Sequence, residues 1–397
     1  MRDMIIYGAF DRHNYGDLLF PLVLDRLIKE KTYNKIYIAG LINSDLTKYG
    51  SLKTFSIKKV LKESNEKAAV ILGGGDIIGC DWQSAVSYLL PKTISALFER
   101  FFCRIAPQYT EKFIKRIFGV NYAMPFCPEF FEMGESRKII YNSVGATAIS
   151  NFNDDDIKKV TNVLNQATYI SVRDNFSSDQ IERILGVVPV LAPDSAQMMS
   201  ELFTTEEIDK KTSRLACNII KKFRNKYLVF QISKIHAFEK ERDFAKSLDE
   251  IFFKLQMPII FVAIGNATNH EDREGIRRVA ALLDKKTVFQ IYKIGDIFSI
   301  MNIIKNSKCY CGTSLHGLIT AIAFSVPRVG LLPKLRKQVN YMNTWDLDAM
   351  PRGINAENLY KSVKQVLIVE KEKLIKKSEY LVNEYRANFE RIYQLLE

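Results

Sequence analysis

Short, nearly continuous apolar runs recur along this chain, separated by longer stretches in which apolar residues return every third or fourth position. Met4–Phe10, Lys35–Ala39, Ala68–Leu72, Lys138–Val144, Tyr169–Val172 and Val188–Leu191 form a first series. Tyr227–Ser233, Pro258–Ile264, Val288–Tyr292, the run ending at Cys311, and Val329–Leu332 form a second. A run without a polar face predicts a strand covered on both sides, as in parallel sheets flanked by helices. Between the runs, Asp154–Ala167, Phe238–Leu255, Asp272–Leu283 and Ile297–Lys305 carry helical periodicity, the first opening with the acidic residues that a helix dipole favours. Lys334–Trp345 also reads as helical, and one long charged helix is expected from about Glu357 to Leu395.

Two strand–helix series of similar size predict an α/β protein of two doubly wound, Rossmann-like domains. The expected boundaries are 1–203 for the first domain, 204–350 for the second and 351–397 for the C-terminal helix. A charged helix near Thr204–Lys226 would link the domains. Residues 80–137 break the rhythm with Trp82, Tyr88, many Phe, several Arg and Lys, and four prolines, which reads as a helical insertion. Either it buries a sheet face, or its aromatic and basic mixture forms an acceptor-binding lid or touches a membrane surface. Ligands of such domains bind beyond the C-terminal ends of the strands, so the site is expected in the cleft between them. By fold analogy alone this is the glycosyltransferase B plan.

Composition narrows the partners. With 397 residues, 47% hydrophobic and 26% charged, the chain is expected to be globular. No apolar run reaches membrane-spanning length, and MRDMIIYGAF reads as a strand start rather than a signal peptide. Six cysteines without zinc spacing point to reduced thiols and a cytoplasmic protein, with the inner face of the membrane as an open location. The net charge of +12 suits an anionic substrate or an anionic surface. Nucleic acid is not expected, because the lysines are dispersed and no zinc-finger, RNP or helix-turn-helix pattern occurs.

Candidate chemistry gathers where strands end. CGTSLHG places His316 in the first turn of a helix, where free N–H groups and the dipole favour an anion. A histidine there can hold a phosphate or move a proton, or simply be satisfied by packing. Thr313 or Ser314 can cap this helix. Asn14, Gly16 and Asp17 follow the first strand. Asp17 reads as a cap or a cleft residue, and Gly16 as a place for close approach of a ligand. Gly73-Gly74-Gly75-Asp76 after the third strand leaves room for a ligand or another backbone, and it is neither a Walker nor a GxGxxG sequence. Arg173 ends a strand beside Asp174, with Asp194 at the end of the next; a salt bridge and an anion-binding role both fit. Lys234 ends the first strand of the second series. No metal-ligand spacing is visible. Of the other histidines, His13 is expected to come nearest the cleft, with His236 and His270 unassigned.

In order, NYGD, ILGGGD, NSVGA, SVRDNFS, APDSA, GDIFSIMNIIKNSK and CGTSLHGLITAIAFSVP resemble the polysaccharide pyruvyl transferase family from residue 5 to about 332. The insertion and the C-terminal helix lie outside the resemblance. It implies transfer of a pyruvyl group from phosphoenolpyruvate to a sugar hydroxyl pair, giving a ketal and phosphate, with no cofactor beyond the donor substrate. It maps the family's Leu-His pair to Leu315 and His316, and its arginine after the SV strand to Arg173. Many members carry arginine where this chain has Ser314 and Lys234, and lysine is a point charge rather than a bidentate fork. On this reading His316 is the acid/base or phosphate donor, while Arg173 and Lys234 hold anionic groups. Thr313, Ser314 and the next N–H groups cradle phosphate, and Asn14 and Asp17 face a glycan acceptor, lipid-linked or free. Two other readings stand beside it: a nucleotide-sugar glycosyltransferase of the same architecture, and a non-catalytic scaffold in glycan assembly.

Overall fold

Every residue of Met4–Tyr7 (β1) is buried, and the strand has parallel neighbours on both sides. It is the centre of the first sheet. Around it lie β2 (Ile36–Gly40), β3 (Ser44–Asp45), β4 (Lys53–Ser56), β5 (Ala69–Leu72), β6 (Ile139–Val144), β7 (Tyr169–Val172) and β8 (Val190–Leu191), in the order β3-β4-β2-β1-β5-β6-β7-β8. Only β3 and β4 pair antiparallel. The second sheet, all parallel, holds β9 (Leu228–Gln231), β10 (Ile259–Val262), β11 (Phe289–Tyr292), β12 (Cys309–Gly312) and β13 (Arg328–Gly330), ordered β11-β10-β9-β12-β13. The computed structural model describes residues 2–31, 35–104, 107–129, 137–224, 226–267 and 271–397.

The two-fold alternation along β1 sorts its side chains between two cores. Met4 and Ile6 join a core that runs on into the second domain, whereas Ile5 and Tyr7 face a separate cluster with Trp82, Tyr122 and Phe126. The insertion therefore covers one face of the first sheet. Its helices among the described residues are Trp82–Ser87, Lys92–Leu97, continued as a π-helical turn over Phe98–Cys103, and Pro107–Phe118. Helix Tyr15–Lys31 covers the other face and is shared. It packs on Ile297–Lys305 and Leu315–Ala323, and the Tyr15 hydroxyl lies 2.8 Å from that of Thr320.

Four elements differ from the sequence expectations. Residues between β2 and β5 form β3, β4 and helix Ile57–Glu63, which have no continuous apolar run because they are short and lie at the sheet edge. Glu241–Leu255 begins later than Phe238, after a separate turn over Lys234–Ala237. The linking segment is two helices, Thr205–Lys211 and Arg214–Phe223, because the Thr212 hydroxyl donates back to Ile208 and Ser213 caps the second. The terminal helix is broken into Leu359–Val366 and Lys371–Leu396. The first piece packs on β13. The second turns back to the first domain, where Tyr385 accepts from Asn142 and Asn388 accepts from Tyr169. One straight helix could not reach both surfaces. Among the described residues no helix is long and apolar enough to cross a membrane.

Candidate active site

Each sheet reverses its winding once, between β1 and β5 in the first and between β9 and β12 in the second. Loops diverge at such points and leave a crevice beyond the strand ends. Here the two crevices face each other across one cavity of about 490 Å³. Ala9 and Arg12 follow β1, Gly75 and Asp76 follow β5, and Arg173 follows β7. Opposite them stand Gln231 at the end of β9 with Ser233 and His236 after it, Thr313, Ser314, Leu315 and His316 after β12, and Lys334–Gln338 after β13. A bridge between Asn14 and Gly265, with the Tyr15 N–H donating to Ile264, joins the two sides.

His316 reaches from the second domain into the first. Its ring lies against Gly16, where an added Cβ would stand 1.9 Å from Nδ1, and meets the Phe20 ring edge-on at 5.2 Å. Gly16 thus makes room for the histidine rather than for a ligand. Phe20 in turn lies over Gly74, at φ +100°, and Phe10 over Gly73. The first two glycines of the loop make room for these aromatic rings; Gly75 alone of the three lines the cavity. His316 Nε2 is 3.7 Å from Asp194 Oδ2, and the histidine side chain is 13% exposed. Burial pushes the Asp194 carboxyl up, but His316, Arg173 and the Ala196 N–H more than offset it and hold it below its usual range.

Arg173 is buried behind this pair. It donates to Asp194 Oδ2 at 3.3 Å and lies 3.8 Å from Asp174. Gly145 gives it space, since a Cβ there would fall 2.8 Å from its Nη2. Both anticipated salt bridges exist, and Arg173 clamps the carboxylate that faces His316. Asp17 accepts from Asn14 Nδ2 at 3.1 Å on the cavity wall, and burial raises its carboxyl despite Arg12 and His316. Arg12 is paired with Asp11 at 3.3 Å.

The helix start at Leu315 differs from the expected phosphate cradle. Gln231 Oε1 already accepts from the N–H groups of Thr313 (2.9 Å) and Ser314 (2.8 Å), and Ser314 Oγ caps Gly317. The N–H groups of Leu315 and His316 remain as the open ends of the first turn. Gln231 is held by Asp272 Oδ2, which also accepts from the N–H groups of Ile264 and Gly265. Burial pushes the Asp272 carboxyl up to about 6.

Lys234 does not line this cavity. The chain turns at Ser233, and Lys234 pairs with Glu271 at 3.4 Å in a neighbouring hollow with Asn266, Arg273 and Glu274. Two residues further on, the short helical turn presents His236 to the cavity instead, hydrogen-bonded to Ser233 at 2.7 Å. His13 is held elsewhere between the domains, stacked on Tyr49 and bonded to the Gly295 carbonyl oxygen. His270 lies outside the described residues.

The cations over the cavity come from a segment without a sequence signal of its own, Lys334-Leu335-Arg336-Lys337. Lys337 spans the cleft to Asp76 at 2.9 Å although its side chain is 57% exposed. Burial raises the Asp76 carboxyl, but Lys337 and Arg173 more than offset it and hold it low. Lys334 and Arg336 are exposed and have no acidic partner among the described residues. Among the described residues no group of three or more His, Cys, Asp and Glu side chains could hold a metal ion.

A family model described as polysaccharide pyruvyl transferase matches residues 14–334. No curated protein matches the chain. Among solved structures, the UDP-GlcNAc 2-epimerase of Methanocaldococcus jannaschii, in complex with UDP-GlcNAc and UDP, is similar at TM-score 0.54 and 14% identity, over 94% of either chain. The Neisseria meningitidis UDP-GlcNAc 2-epimerase bound to UDP-GlcNAc gives 0.56 at 10% identity, over 99% of this chain and 100% of that one. The Rickettsia bellii UDP-N-acetylglucosamine 2-epimerase gives 0.57 at 11% identity, over 100% and 97%. Likeness at this identity concerns the fold, two Rossmann-like domains in the glycosyltransferase B manner.

Proposed function

The chain belongs to the polysaccharide pyruvyl transferase family, enzymes of polysaccharide biosynthesis, and from that premise we propose that its cavity joins phosphoenolpyruvate to a sugar hydroxyl pair. The donor's methylene carbon takes a proton, leaving a cationic centre at the adjacent carbon. One hydroxyl oxygen attacks that carbon and loses its proton. Phosphate then leaves, and the second hydroxyl attacks and loses its proton, closing the ketal.

The observation that carries this reading is His316 inside a cation-rimmed cavity with Asp194 behind its Nε2. An imidazole is a general acid, so we assign His316 the proton that goes to the donor carbon. Arg173 is a positioning residue that fixes Asp194, rather than the donor's anchor. Lys334, Arg336 and the Leu315 and His316 N–H groups supply the charge that a carboxylate and a phosphate need. Asp17, raised by burial, is the group on the opposite wall suited to accept a hydroxyl proton.

A shared fold with UDP-sugar enzymes keeps one second reading, a nucleotide-sugar donor. Thermal shift with phosphoenolpyruvate and UDP separates the two. At about 100-fold excess over its Kd, a specific ligand adds roughly 2.7 kcal/mol. Stabilisation by phosphoenolpyruvate and not by UDP is expected; stabilisation by UDP alone overturns the ketal-forming reading.

A further inference from the structure

The insertion that walls the cavity through Cys80, Tyr88 and Phe126 also turns an apolar surface outward. Ile94, Leu97 and Phe101, spaced three and four apart, are 50%, 55% and 50% exposed; Tyr109, Phe113 and Ile117, spaced four apart, are 79%, 65% and 64% exposed. The inward face is small and polar in part: Ser95 is buried against Ser87, and Thr110 is buried beside Ile114. Packing does not require the aromatic rings outside. Scattered apolar residues on a surface are ordinary, but two stripes on helices in contact with each other are an interaction surface.

Charge selects its partner. Residues 92–118 carry six Lys and Arg against two Glu. Beside Pro107–Phe118 opens a groove lined by Lys112, Lys115, Arg116, Asn121 and Lys159, and Lys58 Nζ reaches to Gly119 at its edge. Glu111 answers Lys115 and Asp156 answers Lys159, while Lys112 and Arg116 have no acidic partner among the described residues. A second copy of this face would set these cations against themselves. An anionic bilayer supplies both missing components: acyl chains for the stripe and phosphate headgroups for the groove.

We infer that the helices at Lys92–Cys103 and Pro107–Phe118 lie in the plane of an anionic membrane, as part of the insertion that walls the cavity through Cys80, Tyr88 and Phe126. A lipid-linked acceptor would then meet the cavity at the surface that holds its lipid. Lipid binding is measured without turnover, so failure of the pyruvyl reading and failure of this one are separate results.

The test is sedimentation of the full chain with vesicles of phosphatidylcholine alone or mixed with phosphatidylglycerol. Binding is expected only to the anionic vesicles, weakened by salt. Lys112→Gln with Arg116→Gln should weaken it roughly 30-fold, at about 1 kcal/mol per basic residue near the surface. Phe113→Ser with Ile117→Ser should weaken it at least about tenfold, and these exposed substitutions should leave the melting temperature unchanged. Absence of binding, equal binding to neutral vesicles, or unaltered binding by the Phe113→Ser, Ile117→Ser variant overturns the inference. So does a dimer of the native chain that this variant dissolves, since the stripe would then be a protein interface.

Discussion

The two walls of the cleft hold charge in opposite ways. On the first-domain wall, charges are buried and mostly matched by a neighbour of opposite sign: Arg173 with Asp194 and Asp174, and Arg12 with Asp11. On the second-domain wall, Lys334 and Arg336 are exposed and have no acidic partner among the described residues, and Lys337 reaches across to Asp76. Charges of the first kind fix geometry, because each is expensive to leave without its partner. Charges of the second kind stay available to a ligand. The wall a residue stands on therefore predicts whether its loss is felt in turnover and folding or in binding.

His316 tests the comparison most severely, because it belongs to the second wall and is seated in the first. His316→Ala should lower turnover roughly 10²–10⁴-fold while stability changes by about 1 kcal/mol; full activity in steady-state assays would remove it from the chemistry. Arg173→Ala should cost about 3–5 kcal/mol in denaturant unfolding, because two carboxylates are left buried without their cation. A loss confined to donor affinity would place Arg173 with the second wall instead.

Asp272 sharpens the division, being a buried anion on the second wall. Its carboxyl titrates near 6 when folded and near 4 when unfolded, so the folded protein keeps a proton that the unfolded chain has released. Stability from this group is full below about pH 4 and is lost as pH rises through about 6, on the order of 2–3 kcal/mol. Asp272→Asn should flatten that part of a melting profile between pH 4 and 7. The smallest effect belongs to the exposed cations. Lys334→Gln with Arg336→Gln should raise KM for the donor about tenfold at nearly constant kcat, with stability within about 0.5 kcal/mol of the native chain.

The sheets were legible in the sequence because a strand buried on both faces has no polar position to hide it. β3 and β4 were not, being short strands at the outer end of the sheet with half their side chains in water. The site divides the same way. His316, Arg173, Asp17 and Asn14 stand at strand ends, where local pattern points, and all four line or adjoin the cavity. Lys234 stands at a strand end too, but the turn after β9 directs it to Glu271. The Lys334–Lys337 strip, Gln231 and Asp272 lacked a signal, because their roles arise from contacts between segments far apart in the chain. KLRK after a proline reads like any solvated helix start. Gln231 becomes meaningful only when β9 lies beside β12 and its amide reaches two N–H groups of the neighbouring turn.

Helix Tyr15–Lys31 follows β1 in the chain, yet its inward face belongs to the core that contains Ile297–Lys305 and Leu315–Ala323. The modular boundary of this protein is therefore not the boundary between its sheets. A hybrid that exchanged the whole first sheet with that of a relative would import a foreign helix under His316, and with it a foreign residue at the place of Gly16. Recombination that respects function has to keep Tyr15–Lys31 together with the second half, which makes the seat of His316 an inheritance of both halves at once.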